Sequence, residues 1–140
     1  MNKIDELSIT IPAQMTSSAA VDNFIELVID SFKLPSFLMG CITIAIINAV
    51  RTYILYGNNG KQGKTLTLTA TKHPTNVVIC VEDEGGGLVF KGINAGIGFG
   101  DVNARHGDGL YLIATLADEL VFLNKSSKIS MTFFLNETNP

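Results

Sequence analysis

The sequence predicts an α+β fold: a two-layer sandwich in which a mostly antiparallel, mixed sheet carries helices on one face. Three observations lead there. An alternating segment, two helical segments, a pair of alternating segments, a further helix and a last pair of strands follow one another in that order. The second helical segment, from Ser36 to about Tyr56, is apolar almost all round and must lie beneath a sheet. The apolar run Val77-Val78-Ile79-Cys80-Val81 ends abruptly in Glu82-Asp83-Glu84-Gly85-Gly86-Gly87, which reads as a strand delivering a carboxylate to a loop.

Composition bounds what the protein can be. Of 140 residues, 46% are hydrophobic and 16% charged, enough to bury a core, so residues 1–140 are expected to form one domain. A net charge of -3 gives no basic footprint, and no direct nucleic-acid partner is expected. Cys41 and Cys80 lie in apolar runs and read as small buried thiols, which suits a reducing cytoplasm. Asp5 and Glu6 stand where a signal peptide would have its apolar core. The most apolar stretch, Phe37 to Val50, is broken by Gly40 and Asn48 and falls short of the roughly 20 residues that span a bilayer, so no membrane partner is expected either.

Each element has its own signal. Leu7-Ser8-Ile9-Thr10-Ile11 alternates apolar and polar before Pro12, the pattern of a half-buried strand. Thr16, Ser17 and Ser18 offer caps for a helix whose apolar face is Val21, Phe24, Ile25, Val28, Ile29 and Phe32. That helix should stop near Lys33, because Pro35 disfavours helical geometry in the residue before it. Past the glycine-rich loop 57–63, Leu66, Leu68 and Ala70 alternate with Thr65, Thr67, Thr69 and Thr71, a strand whose threonines face outward. Lys72 to Asn76 turn it into the Val77 strand as a hairpin. Residues 91–103, studded with glycine, read as a mobile lid. Leu110, Ile113, Ala114 and Ala117 mark a last helix, and Leu120–Leu123 with Ile129–Leu135 a closing hairpin.

The chemistry concentrates at Asp83. A carboxylate desolvated at a strand exit needs hydrogen-bond donors, which either a turn or a ligand N–H can supply. Glycines just beyond it let a backbone approach such a ligand without a Cβ in the way. A second pair, Gly107-Asp108-Gly109-Leu110, opens the last helix, where free backbone N–H groups favour an anion. Other motifs fail. Gly63-Lys64-Thr65 has Asn58 in place of the first glycine of a phosphate-binding loop, and strand rather than helix follows it. Two histidines, His73 and His106, and two cysteines make no recognisable zinc site, and no serine sits in a nucleophile elbow.

With both glycine boxes placed, the sequence resembles the GHKL (Bergerat-fold) ATP-binding domains, the histidine-kinase-like ATPases. Within them it is most similar to the anti-sigma-factor serine/threonine kinases of bacterial partner-switching systems. The resemblance runs from about Leu7 to Leu135, with Asp83-Glu84-Gly85-Gly86-Gly87 as the family's Asp-x-Gly-x-Gly and Gly107-Asp108-Gly109 as its later Gly-x-Gly. It implies that Asp83 accepts from the adenine amino group, that Gly85, Gly87, Gly107, Gly109 and Leu110 line the nucleotide, and that Arg105 faces the terminal phosphate or the partner. The segment Leu116 to Val121 resembles the family's closing helix-to-strand junction.

The family's buried helix normally carries Glu-Ala-x-x-Asn-Ala-x-x-His-Gly, whose Glu polarises the attacking hydroxyl and whose Asn holds Mg2+. Here Asn48 stands at the Glu position, Thr52 at the Asn position and Tyr56 at the His position. An alternative register makes Asn48-Ala49 the Asn-Ala pair and puts Ile44 at the Glu position. In either register the general base is missing, since an amide accepts no proton near neutral pH. Asn48 and Thr52 also fit as polar groups satisfied by helix carbonyls, and Tyr53 and Tyr56 as rings closing a core with exposed hydroxyls. The resemblance therefore implies ATP and Mg2+ as cofactors, and a sigma factor or an anti-sigma antagonist domain as protein partner. It also allows a homodimer through the first strand or an outer helix. Two outcomes stay open: a regulatory kinase, or a pseudokinase that keeps a relic pocket and works through protein contacts.

Overall fold

A computed structural model describes residues 5–56, 64–84, 108–124 and 127–136. In chain order the elements are β1 (Glu6–Pro12), a short 3-10 turn (Met15–Ser17), α1 (Ser18–Phe32), α2 (Ser36–Tyr56), β2 (Thr65–Lys72), β3 (Asn76–Asp83), α3 (Asp108–Leu116), β4 (Glu119–Leu123) and β5 (Lys128–Phe134). The expected loop at 57–63, the lid at 91–103, both glycine boxes up to Gly107, and the hairpin residues Lys125 and Ser126 lie outside the described residues.

The helix boundaries follow from local chemistry. Val21, Phe24, Ile25, Val28 and Phe32 form the buried stripe of α1. Ser17 holds the N-cap position without capping, because its hydroxyl donates instead to the Pro12 carbonyl at 2.8 Å and ties the helix start to the end of β1. At the other end Lys33 adopts the left-handed conformation (φ 52°, ψ 52°). The Leu34 N–H reaches back to Ile29 O at 3.1 Å and the Lys33 N–H to Asp30 O at 3.3 Å, a Schellman-type ending that buries Leu34 as its hydrophobic contact.

Helix α2 is less enclosed than its composition suggests. Leu38, Ile42, Ala45, Ile46, Ala49, Val50 and Tyr53 are buried, whereas Phe37, Met39, Ile44 and Leu55 are exposed. By length and composition Ser36–Leu55 is apolar enough to cross a bilayer, longer than the broken stretch 37–50 implied, and 44% of it is buried. Its buried stripe packs against β3, β5, α1 and α3, the place of a core helix. Gly40 lies on the opposite side, with nothing within 4 Å of where a Cβ would sit. Gly40→Ala is expected to stabilise the fold by about 0.5–1 kcal/mol, because alanine loses less backbone entropy in a helix. A midpoint in chemical denaturation that does not rise would contradict this.

The five strands hydrogen-bond in the order β1-β2-β3-β5-β4, and every described pair is antiparallel. The mixed component expected of the sheet is therefore absent among the described strands. The crossover through α3 does bring β4 back in the same sense as β3, but β5 sits hydrogen-bonded between them. Leu66, Leu68, Ala70, Val77, Ile79, Val81, Ile129, Met131 and Phe133 face the helices with no solvent exposure. Apart from Ala70, each such residue contributes about 1.5–3 kcal/mol of transfer free energy. The opposite face is a carpet of threonine and serine: Thr65, Thr67, Thr69 and Thr71 point outward as their alternation predicts, and the Thr10 and Thr67 hydroxyls lie 3.1 Å apart. Cys80 belongs to this outer face and is half-buried, as is Cys41 on α2, so neither is the fully buried thiol expected.

Candidate functional site

Strand β3 brings a carboxylate into the core by parity. Val77, Ile79 and Val81 alternate inward, and Asp83, two residues on, takes the next inward position with 3% of its surface exposed. The exit of the strand is fastened on both sides. The Asp83 N–H donates to Ser127 O at 2.7 Å, on the β5 side. On the β2 side the Glu84 N–H donates to Thr65 O at 3.1 Å, and the Glu84 carboxylate accepts from both the Thr65 N–H and the Thr65 hydroxyl at 3.0 Å. Backbone and side chain of Glu84 thus grip one residue, which fixes the point where the chain departs toward Gly85.

The Thr65 hydroxyl and N–H hold the Glu84 carboxyl below the ordinary glutamate value, aided by Lys64. A depressed folded-state pKa contributes stability that is present above the unfolded value and is lost as pH falls through the folded one. The wild type is therefore expected to keep a constant advantage over Glu84→Gln above about pH 5, shrinking as acid is added below the usual glutamate range. Urea midpoints of the two proteins at a series of pH values measure this. An advantage that grew on acidification would show that the grip lies elsewhere.

Helix α2 supplies the other side chains. The Thr52 hydroxyl donates to Asn48 O at 2.7 Å, and Asn48 Nδ2 donates to Ile44 O at 2.8 Å. Both residues spend a donor on the carbonyl one turn back, as polar groups on apolar helices do. Each keeps acceptor capacity, in the Asn48 amide oxygen and the Thr52 lone pairs. Thr52 is 5% exposed and Asn48 half-buried. Tyr53 is the largest side chain with no solvent exposure at all. Its hydroxyl is therefore enclosed, against the expectation of a ring with its polar tip in water; the Tyr56 side chain lies outside the described residues. Burial pushes the Tyr53 phenol far above its ordinary value, and the carboxylates of Asp83 and then Glu82 push it further.

Of the other expected site residues, Gly85, Gly87, Arg105 and Gly107 lie outside the described residues. Gly109 is the second residue of α3, in the turn where helix N–H groups lack intrahelical partners. The Leu110 side chain is wholly buried, so only its backbone is available to a ligand. After α3, Asp118 closes the junction onto β5: its N–H donates to Thr132 O at 2.8 Å, and its Oδ2 accepts from the Phe134 N–H at 2.7 Å. No group of three or more His, Cys, Asp or Glu suited to a metal occurs among the described residues. Sequence reasoning missed that Tyr53 is wholly buried. The signal available was its position directly after Thr52 on a helix facing the sheet.

The family model of the histidine kinase-like ATPase domain matches residues 11–133. The chain belongs to that family. ATP binding is what membership implies. A solved structure, that of the RsbU and RsbW domains of Rv1364c from Mycobacterium tuberculosis, aligns with a TM-score of 0.65 at 16% identity over 96% of this chain. The alignment takes in 33% of that chain, so this ATPase-like domain spans about a third of its length, and likeness at this identity speaks to the fold. No curated protein sequence matches.

Proposed function

We propose that this domain binds ATP through Asp83 and acts as a regulator of the anti-sigma-factor kinase type in a bacterial partner-switching system. The reading rests on one observation: an apolar strand face ends in a buried carboxylate, on a strand end fixed by the Asp83 backbone N–H donating to Ser127 O and by the grip of Glu84 on Thr65. A carboxylate there is an acceptor aimed at the inside of the molecule, and it fits the amino group of a purine. The N–H groups of Gly107, Gly109 and Leu110 would hold phosphates, with Gly85 and Gly87 allowing close approach and Arg105 facing the terminal phosphate. ATP would supply the phosphoryl group, and its partner would be a sigma factor or an anti-sigma antagonist domain in the cytoplasm. The residues 1–140 would serve as one such domain, alone or as a homodimer.

Asn48 and Thr52 favour a second reading, binding without turnover. Neither is charged, and both already donate to helix carbonyls, so Mg2+ would rest chiefly on phosphate oxygens with Thr52 as a weak ligand. Nor can Asn48 draw a proton from a serine hydroxyl.

Magnesium-ATP at a hundred times its dissociation constant is expected to stabilise the native protein by about 2.7 kcal/mol, read as a raised melting temperature. Denaturing the purified protein and assaying the supernatant for adenine nucleotide checks the same point. No nucleotide and no shift would remove the ATP reading. On the second reading, phosphoryl transfer to a partner serine is undetectable in the wild type and appears in Asn48→Glu/Thr52→Asn. A double variant that binds ATP yet stays inert would show that the loss lies outside these two positions.

A further inference from the structure

We propose that the outward face of α2 is a dimer interface, on which α2 of a second copy of this chain packs antiparallel. The inference stands apart from the ATP reading, since it uses neither Asp83 nor the glycine boxes.

Helix α2 is the middle helix of its layer. It packs on β3 and β5, while α1 touches the edge strand β1 and α3 the opposite edge strand β4. The outward face of such a helix is normally polar, because water is all it meets. Here Arg51 is the one charged residue in the 21 of α2. Phe37 and Ile44 stand outward at 39% and 42% exposure, Gly40 and Arg51 are exposed, and Ile47 and Ile54 are half-buried. Positions 37, 40, 44, 47, 51 and 54 advance by alternate steps of three and four, the spacing along which two helices interlock.

The residues of that seam choose its occupant. Two copies packed in the same sense would set Arg51 against Arg51 and Gly40 against Gly40, a like-charge contact beside a void. Turned end for end about a two-fold axis between Ala45 and Ile46, the seam matches itself: Phe37 meets Ile54, Ile44 meets Ile47, and Arg51 meets Gly40. The space over Gly40, with nothing within 4 Å of where a Cβ would sit, receives the longest side chain of the seam. Charge completes the match. Helix α1 lies antiparallel to α2 across the short turn 33–35, and Ser18 and Asp22 share a cleft with Arg51 and Ile47, so by the same pairing Asp30 lies level with Gly40. Arg51 of the second copy is thereby brought level with the exposed carboxylate of Asp30.

The face is also large enough. Helix α2 is about 30 Å long, and helices about 8–10 Å apart give the layer a comparable width. Tyr111 and Leu112 extend the exposed apolar surface onto α3. This leaves room for the roughly 800 Å² per partner of a standard interface.

Sedimentation equilibrium of the nucleotide-free chain at up to about 100 μM, where a dimer of micromolar affinity is saturated, tests the proposal. The wild type is expected to be a dimer. Ile44→Asp, which would set an unpaired charge in the seam of both copies, is expected to weaken it by at least about tenfold. Arg51→Asp should weaken it too, and Asp30→Arg/Arg51→Asp should recover most of that loss. Circular dichroism of each variant shows whether the chain is still folded; should Ile44→Asp fail to fold, the two Arg51 variants decide. A wild type that stays monomeric would overturn the dimer, and its cosedimentation with phosphatidylcholine vesicles would give the face to lipid instead. A dimer indifferent to Ile44→Asp and to Arg51→Asp would place the contact elsewhere, such as the open edge of β1, and would equally overturn the proposal. Loss in Arg51→Asp without recovery in the double variant would overturn the antiparallel register.

Discussion

Replacing Asp83 with asparagine is expected to weaken ATP binding by roughly 10- to 150-fold. A hydrogen bond to a charged group contributes about 1.5–3 kcal/mol, and each 1.4 kcal/mol is tenfold in affinity. Asparagine keeps the volume and one acceptor oxygen but surrenders the charge, and its amide presents two donors in a place where the ligand also brings a donor. The backbone N–H of Asp83 and the grip of Glu84 on Thr65 survive the change, since neither involves the substituted side chain. Calorimetric titration at fixed magnesium, with a thermal melt of each unliganded protein beside it, separates lost recognition from lost structure. Unchanged affinity in a folded variant would mean that the purine is read elsewhere. Because ATP and adenosine share the base but not the phosphates, the loss should be similar for both.

Phe133→Ala is the substitution expected to cost the most stability, about 3–5 kcal/mol. Phe133 has no solvent exposure and lies on the helix-facing side of β5, opposite Val77 in the register. Removing the ring forfeits its transfer free energy and leaves a void that α2 and the sheet, held by their own hydrogen bonds, close only in part. For a chain of this length the melting temperature should fall by roughly 10–20 °C. Phe134, the next residue, supplies the control: it is 41% exposed on the other face, and its replacement by alanine should cost within about 0.5 kcal/mol. Calorimetric melts of the two variants measure the contrast. A larger loss from Phe134→Ala than from Phe133→Ala would show that β5 turns its other face to the helices.

Much of this architecture is legible without coordinates because periodicity is a local property. The stripe Val21, Phe24, Ile25, Val28, Phe32 and the alternation of Leu66, Leu68 and Ala70 with threonines each name an element and the face it buries, and the structure keeps both. Asp83 stood out for the same reason: an acid at an inward position of an apolar strand breaks a pattern that is otherwise uniform. Where the pattern is uniform the reading fails. Helix α2 is so evenly apolar that its buried stripe is invisible in the sequence, which hid both the exposure of Phe37, Met39, Ile44 and Leu55 and the direction of Tyr53. Ser17 failed differently. A hydroxyl at an N-cap has several acceptors and donors within reach, and proximity to the Pro12 carbonyl, a fact of chain path, drew it away from the helix.

By itself the sequence determined which segments are strands and helices, which side of each seeks the core, and that a lone acid and two glycine boxes depart from packing. These follow from side-chain spacing, and spacing is written in the chain. Only the tertiary structure decided that β5 inserts between β3 and β4, that every described strand pair runs antiparallel, and that Tyr53 is wholly enclosed. Period tells a segment which face to bury but not what to bury it against. That choice is made by competition among all the faces at once.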